Sequence, residues 1–173
     1  MKNTDKMTLP RYIAFVYRNG RLVSALKVIS SALVLLTVLA FSGEVVYLAF
    51  SSVMEAVMFA VFCAVPFLAV SCLRVWIDAK RPYEIYNFED IKIPSQKNGR
   101  SMPSRHTLSA FVIGTLLCFI HLPLGLFLIT VGIAIAVFRV ILGIHFVRDV
   151  LVGAAIGIAS GVFGGLIINF YLH

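Results

Sequence analysis

The chain has 173 residues, of which 60% are hydrophobic and only 13% charged, with a mean hydropathy of +0.96. This excludes an ordinary soluble domain, in which about 25% of residues carry charge. A net charge of +7 suggests nucleic acid, but the basic residues lie between long apolar runs and form no single soluble face, which excludes that class; beside a membrane they signify anionic head groups, orientation or a phosphate site.

In chain order, the first 21 residues carry Lys2, Lys6, Arg11, Arg18 and Arg21 without an apolar core, so no cleavable signal peptide is expected. Residues 8–19 mix Tyr12, Phe15 and Tyr17 with Arg11 and Arg18, a pattern that predicts an interfacial helix lying on the membrane surface. A spanning helix needs about 20 apolar residues, and five stretches qualify: 26–50, 55–77, 104–121, 123–142 and 147–171. A polar stretch, 78–103, separates the second from the third. The predicted fold class is all-α: a polytopic membrane helix bundle of about five transmembrane helices plus the N-terminal interfacial helix, forming one membrane-embedded unit over 1–173. Cys63, Cys72 and Cys118 sit inside apolar stretches, without metal spacing or a disulfide framework, and read as small buried apolar residues. Gly153, Gly157, Gly161 and Gly165 recur every four residues along one face of the last span. They form a groove in which a helix of the same or another chain can pack closely, so oligomeric state stays open.

With five spans, residues 1–25, 78–103 and 143–146 share one side of the membrane. All 15 Lys and Arg lie on that side or at its edge, and the positive-inside rule assigns it to the cytoplasm.

Polar residues at membrane depth are costly and call for a function. Three clusters stand out: Arg74 and Arg81 flanking the end of the second span, Ser104 and His106 at the start of the third, and Arg139, His145 and Asp149 around the junction of the fourth and fifth. The five-span topology brings all three to one face. Arg74, Arg81 and Arg139 offer planar forks that match phosphate oxygens. Pro103 and Ser104 mark a helix start, where free backbone N–H groups favour an anion. His145 and Asp149 are four apart, so on a helix they share a face; a carboxylate on one imidazole nitrogen fixes the tautomer and makes the other a better nucleophile. One histidine then attacks phosphorus while the other protonates the leaving alkoxide, and the arginines stabilise the equatorial charge. Two His and an Asp also suggest a metal site, but the surrounding arginines would repel a cation. Lys27 and Arg148 read as snorkelling residues, His121 and His173 as interfacial ones, and Asp149 taken alone as a helix cap or the ion-pair partner of Arg148.

The order and spacing of these residues resemble the type 2 phosphatidic acid phosphatase family of membrane lipid phosphatases. The family's Lys-x6-Arg-Pro motif reads RVWIDAKRP, Arg74 to Pro82; Pro-Ser-Gly-His reads Pro103, Ser104, Arg105, His106; Ser-Arg-x5-His-x3-Asp reads Phe138, Arg139, His145, Asp149. The match runs over residues 74–149. The resemblance implies that His145 is the nucleophile forming a phosphohistidine, Asp149 its orienting partner and His106 the acid that protonates the leaving group and later assists water. It also implies that Arg74, Arg81, Ser104 and Arg139 cradle the phosphate, and that neither metal nor cofactor is required. Arg74 replaces Lys, so a fork stands for a point charge; Phe138 replaces a small residue. Arg105 replaces Gly, keeps its backbone N–H for the phosphate, and has a side chain long enough for a second phosphate or a head group. Trp76, Tyr83 and Tyr86 are expected to line substrate access.

The expected partners are a lipid phosphate and the bilayer, and no nucleic acid. Phosphatidic acid, phosphatidylglycerol phosphate and a polyprenyl pyrophosphate all suit the site. The expected activity is a metal-independent lipid phosphate phosphatase of a bacterial cytoplasmic membrane. The same residues also serve a lipid phosphotransferase; a non-catalytic lipid-phosphate binding or translocating protein needs the arginines but not the His106, His145 and Asp149 set. Bacterial members of the family commonly place the site on the outer face, against the inward assignment from charge, and the sidedness stays open.

Overall fold

A computed structural model describes residues 10–86 and 99–172. Their helices are α1 (Arg11–Tyr17), α2 (Gly20–Ser51), α3 (Val53–Ile77), α4 (Pro82–Ile85), α5 (Arg105–Ile120), α6 (Leu122–Ile141) and α7 (Val147–Leu172). The expectations for Lys2, Lys6, Lys92, Lys97, His173 and residues 87–98 of the 78–103 stretch fall outside the described residues. The bundle is all-α, as the sequence predicts. Four segments are long and apolar enough to cross a membrane: α2, α3 with the short α4 after it, α6 and α7.

The helix boundaries have local causes. Asn19 caps α2, its side chain accepting from the N–H groups of Arg21 (3.1 Å) and Leu22 (3.2 Å), which satisfies donors the first turn leaves open. Ser52 alone joins α2 to α3: its extended backbone ends one helix and its hydroxyl caps the next by accepting from Glu55 N–H at 3.3 Å. His121 links α5 to α6 in the same abrupt way.

The third predicted span differs from the other four. At 16 residues and a rise of about 1.5 Å per residue, α5 is about 24 Å long, shorter than the roughly 30 Å hydrocarbon layer. Ten of its residues are buried and it packs against α3, α6 and α7. A helix covered largely by protein can begin and end at membrane depth without exposing backbone to lipid. Apart from the exposed Arg105, its first turn therefore lies inside the bundle.

The glycine groove of α7 is filled by α5 of the same chain. A Cβ at Gly153 would lie 2.6 Å from the Ser104 carbonyl oxygen, at Gly157 2.8 Å from that of Leu108, and at Gly161 2.6 Å from Thr115 Cβ. These distances leave no room for a side chain.

The expected surface helix is present but shorter, and it also packs inward. Ile13 and Val16 are buried; Val16 packs in a small core with Val23 and Leu142, and the Tyr17 hydroxyl donates to the Leu142 carbonyl at 3.1 Å. The helix thus braces the α6–α7 turn while Tyr12 and Phe15 face outward. At the opposite end of the bundle His121 is more than interfacial: its Nε2 lies 3.7 Å from the buried Glu44 carboxylate, and its ring meets Tyr47 edge-on.

Candidate active site

Four helix ends meet on one side of the bundle, and each delivers a polar side chain through a definite backbone device. The end of α6 is a Schellman motif: Ile144 N–H donates to the Arg139 carbonyl (3.0 Å) and Gly143 N–H to that of Val140 (2.9 Å), with Gly143 at φ 63°. A glycine adopts this left-handed conformation without the Cβ penalty. The turn folds His145 back so that its own N–H reaches the Arg139 carbonyl at 3.2 Å. Arg139 and His145, six apart in sequence, become neighbours.

Asp149 lies in the first turn of α7 and its Oδ2 gathers three groups. It accepts from Phe146 N–H at 3.0 Å, which caps the helix, and from the Ser101 hydroxyl at 2.5 Å. It also lies 3.6 Å from His145 Nδ1, and Ser101 Oγ lies 3.4 Å from that nitrogen. Nδ1 of His145 therefore faces the carboxylate, and Nε2 is the nitrogen directed elsewhere. His145, Asp149 and Ser101 are all buried. The cap reading of Asp149 holds alongside the orienting one, and Arg148 Nε stands 3.7 Å from its Oδ1.

Burial pushes the His145 imidazole below the ordinary histidine value; the Asp149 carboxylate opposes this, and the charges of Arg81 and Arg74 reinforce it. The balance keeps His145 neutral, the form that holds a nucleophilic lone pair.

The start of α5 is tied to the start of α7, since Ser104 N–H donates to the Asp149 carbonyl at 2.9 Å. Ser104 is fully buried and its hydroxyl meets that of Thr107 at 3.0 Å, so it anchors this turn. Arg74, buried at the end of α3, donates from Nη1 to the carbonyls of Ser101 (3.2 Å) and Pro103. It holds the 101–103 segment in place with one terminal nitrogen. Arg81 Nε donates to the Gly99 carbonyl at 3.0 Å. Glu84 clamps the same corner, accepting from Arg81 N–H at 2.7 Å and Gly99 N–H at 2.9 Å. Arg139 Nε is buried without a hydrogen-bond partner among the described residues, a donor that an anion would satisfy.

His106 stands one residue into α5, within the fields of Arg139, His145, Arg105 and Arg74. Arg105 is exposed, its guanidinium 5.7 Å from the centre of the Phe67 ring. Tyr83 lies under Arg81 at 5.9 Å, and Tyr86 meets Phe146, next to His145, with ring centres 6.1 Å apart. Both tyrosines border the site. Trp76 is 84% exposed, because two residues along a helix from buried Arg74 is nearly the opposite face. It suits an interfacial anchor.

The structure thus gathers His106, His145, Asp149, Arg74, Arg81, Ser104, Arg105 and Arg139 at one end of the bundle. It adds Ser101 and Glu84, which no spacing rule flags, because their partners are distant in sequence.

Comparison with known proteins bears on the family and the fold. A crystal structure of Aquifex aeolicus LpxE superposes with a TM-score of 0.66 at 22% identity, over 91% of this chain and 98% of that one. That of a transmembrane PAP2 type phosphatidylglycerolphosphate phosphatase from Bacillus subtilis gives 0.68 at 20% identity, over 92% and 84%. At these identities the likeness shows the fold. The bacitracin transport permease protein BcrC of Bacillus licheniformis is 32% identical over 72 residues, which is 42% of this chain and only 36% of that relative. Residues 31–170 match the PAP2 superfamily. The protein is an integral membrane member of the PAP2 superfamily, with that family's membrane phosphatase-like fold.

Proposed function

We propose that the protein is a lipid phosphate phosphatase that works through a phosphohistidine on His145 and needs no metal. The observation that carries this reading is the convergence of two histidines within one another's fields at an arginine-lined site. His145 is braced from behind by Asp149 and Ser101. His106 borders an apolar cavity of about 490 Å³, lined by Phe41 of α2, Cys63 and Phe67 of α3, Val112 of α5 and Ile135 of α6. A cavity of that size and character accepts hydrocarbon. A lipid whose tail lies there presents its ester oxygen to His106 and its phosphorus to His145.

The reaction follows from the geometry. The lone pair on His145 Nε2 forms a bond to phosphorus while the P–O bond to the lipid breaks, and His106 gives its proton to the departing oxygen. Asp149 holds Nδ1–H and stabilises the imidazolium of the intermediate. Arg74, Arg81 and Arg139 meet the equatorial oxygens, with Nε of Arg139 gaining its missing partner. Water then attacks the phosphohistidine, His106 takes its proton, the P–N bond breaks, and inorganic phosphate leaves. The cationic lining supports a metal-free mechanism, since the arginines supply the positive charge a metal would.

Purified protein in detergent with chelator should release phosphate from at least one of phosphatidic acid, phosphatidylglycerol phosphate and a polyprenyl diphosphate. His145→Ala should abolish release. Release that survives His145→Ala, or that stops on chelation, contradicts the proposal.

A further inference from the structure

The end of the bundle opposite the candidate active site holds a second, polar pocket that the chemistry above does not use. It is a space of about 240 Å³ bordered by Tyr47 and Ser51 of α2, Glu55 of α3, Phe119 of α5, Asn169 of α7, and His121 between α5 and α6. Glu44 stands on the same face of α2, since Tyr47 and Ser51 follow it by three and seven residues, the spacing of one helical face. Its carboxylate is turned toward the pocket: Oε1 lies 3.7 Å from Nε2 of His121, which borders it.

Glu44 is only 6% exposed, and its Oε1 has no hydrogen-bond partner among the described residues. A protonated His121 at 3.7 Å supplies charge but is too distant to supply the missing hydrogen bond. A buried carboxylate oxygen left in this state is costly. Glu44 also lies seven residues inside the end of α2, about 10 Å along the helix, at a depth where an ionisable side chain marks a functional site.

The surroundings select the ligand. Residues 44–60, 116–128 and 163–172, which build this end, include Glu44, Glu55 and His121 but no Lys or Arg. An anion therefore finds no fixed counter-charge here, in contrast to the arginine-lined end. A metal ion is poorly served, because among the described residues no three His, Cys, Asp or Glu side chains converge as ligands. A primary ammonium group matches what is present. Its three N–H donors suit the oxygens of Glu44, Glu55, Ser51 and Asn169, and its charge suits the aromatic rings of Tyr47 and Phe119. The pocket is smaller than the range of about 300–1,000 Å³ typical of drug-sized ligands, so it takes an aminoalkyl group and not a hydrocarbon tail.

We infer that this end of the bundle is a second binding site, specific for a primary ammonium group, with the Glu44 carboxylate as its counter-charge. A lipid head group and a small free amine present the same group. The site is independent of the hydrolase reading.

The test is equilibrium binding to the full-length protein: labelled ethanolamine in detergent, and labelled phosphatidylethanolamine in phosphatidylglycerol nanodiscs. At least one should bind saturably; ethanolamine alone assigns a free amine, and phosphatidylethanolamine alone assigns a lipid. Glu44→Gln keeps the shape and should weaken binding about 10- to 100-fold, the worth of a hydrogen bond to a charged group. Asn169→Leu changes an exposed position and should weaken binding about 3- to 10-fold, which keeps the test decisive should Glu44→Gln fail to fold. His145→Ala should bind as the wild type does, since its change is at the other end. Choline and phosphatidylcholine carry the charge without N–H donors and should bind about tenfold more weakly. Saturable binding of neither amine, or binding that both variants leave unchanged, overturns the site. Equal binding of the choline compounds overturns the specificity for a primary amine.

Discussion

The bundle has two sides built on different principles. Around α5 and α7 the backbones approach so closely that a Cβ at Gly153 or Gly157 would fall within 2.8 Å of a carbonyl oxygen, and ten of the 16 residues of α5 are buried. Toward α2 the packing is open: five of its 32 residues are buried, a Cβ at Gly43 would meet nothing within 4 Å, and the 490 Å³ cavity lies between α2, α3 and α5. His106 begins α5, Asp149 begins α7, and His145 is held by the turn just before α7. The groups to which the proposed mechanism gives the chemistry thus stand on the closely packed side, and the cavity to which it gives the lipid tail lies on the open one. On that reading, one small membrane protein is rigid for chemistry and permissive for lipid by dividing the two tasks between helix pairs.

The largest effect expected from breaking the rigid side is at Asp149. Asp149→Asn keeps the shape but loses the charge that orients His145, and kcat should fall about 10²- to 10⁴-fold. The pH profile sharpens the point. His145 must be neutral to attack, and burial holds its pKa below the ordinary value of about 6.5. The acid limb of kcat/KM should therefore have its midpoint below pH 6.5, with activity lost as pH falls through it. Because the Asp149 carboxylate pushes that pKa upward, Asp149→Asn should move the midpoint further down. A midpoint that moves up would refute the assigned contact.

The next effect concerns the glycines. Gly157→Ala should cost about 1–3 kcal/mol of stability by overpacking α7 on α5, and Gly153→Ala should also reduce turnover about 10²-fold by shifting Ser104 and the first turn of α5. Gly43→Ala, on the open side, should be neutral or slightly stabilising, since alanine favours the helix. Thermal denaturation in detergent and turnover of the three variants read the contrast directly; similar losses at Gly43 and Gly157 would erase it. The smallest effect is expected within the cavity. Ala64→Leu should fill part of it and lower kcat/KM for the longest chains by about tenfold, with short-chain substrates changed less.

Much of this was legible in the sequence because its causes are local or periodic. The runs 26–50 and 55–77 lie within Gly20–Ser51 and Val53–Ile77 because apolar length alone specifies a spanning helix. The convergence of Arg74, His106 and Asp149 follows from counting crossings. Ser101 was not legible: a lone serine in a polar stretch gives no sign of a carboxylate 48 residues away. Glu44 was overlooked although Ser30, Thr37 and Glu44 recur every seven residues on the buried face of α2, a pattern a search for apolar faces passes over. The inward packing of α1 and the cavity were hidden because each is made by helices distant in sequence.

The central claim is that His145 becomes covalently phosphorylated, and the most direct measurement is to trap that state. The protein would be mixed with a lipid substrate labelled in the phosphoryl group to be transferred, quenched in base, and mapped by mass spectrometry and phosphorus NMR. The account predicts an acid-labile, base-stable phosphoryl group on His145, attached at Nε2 because Nδ1 faces Asp149 and Ser101. Turnover with no phosphoryl group on His145 at any quench time, together with inversion at phosphorus showing direct attack by water, would contradict it.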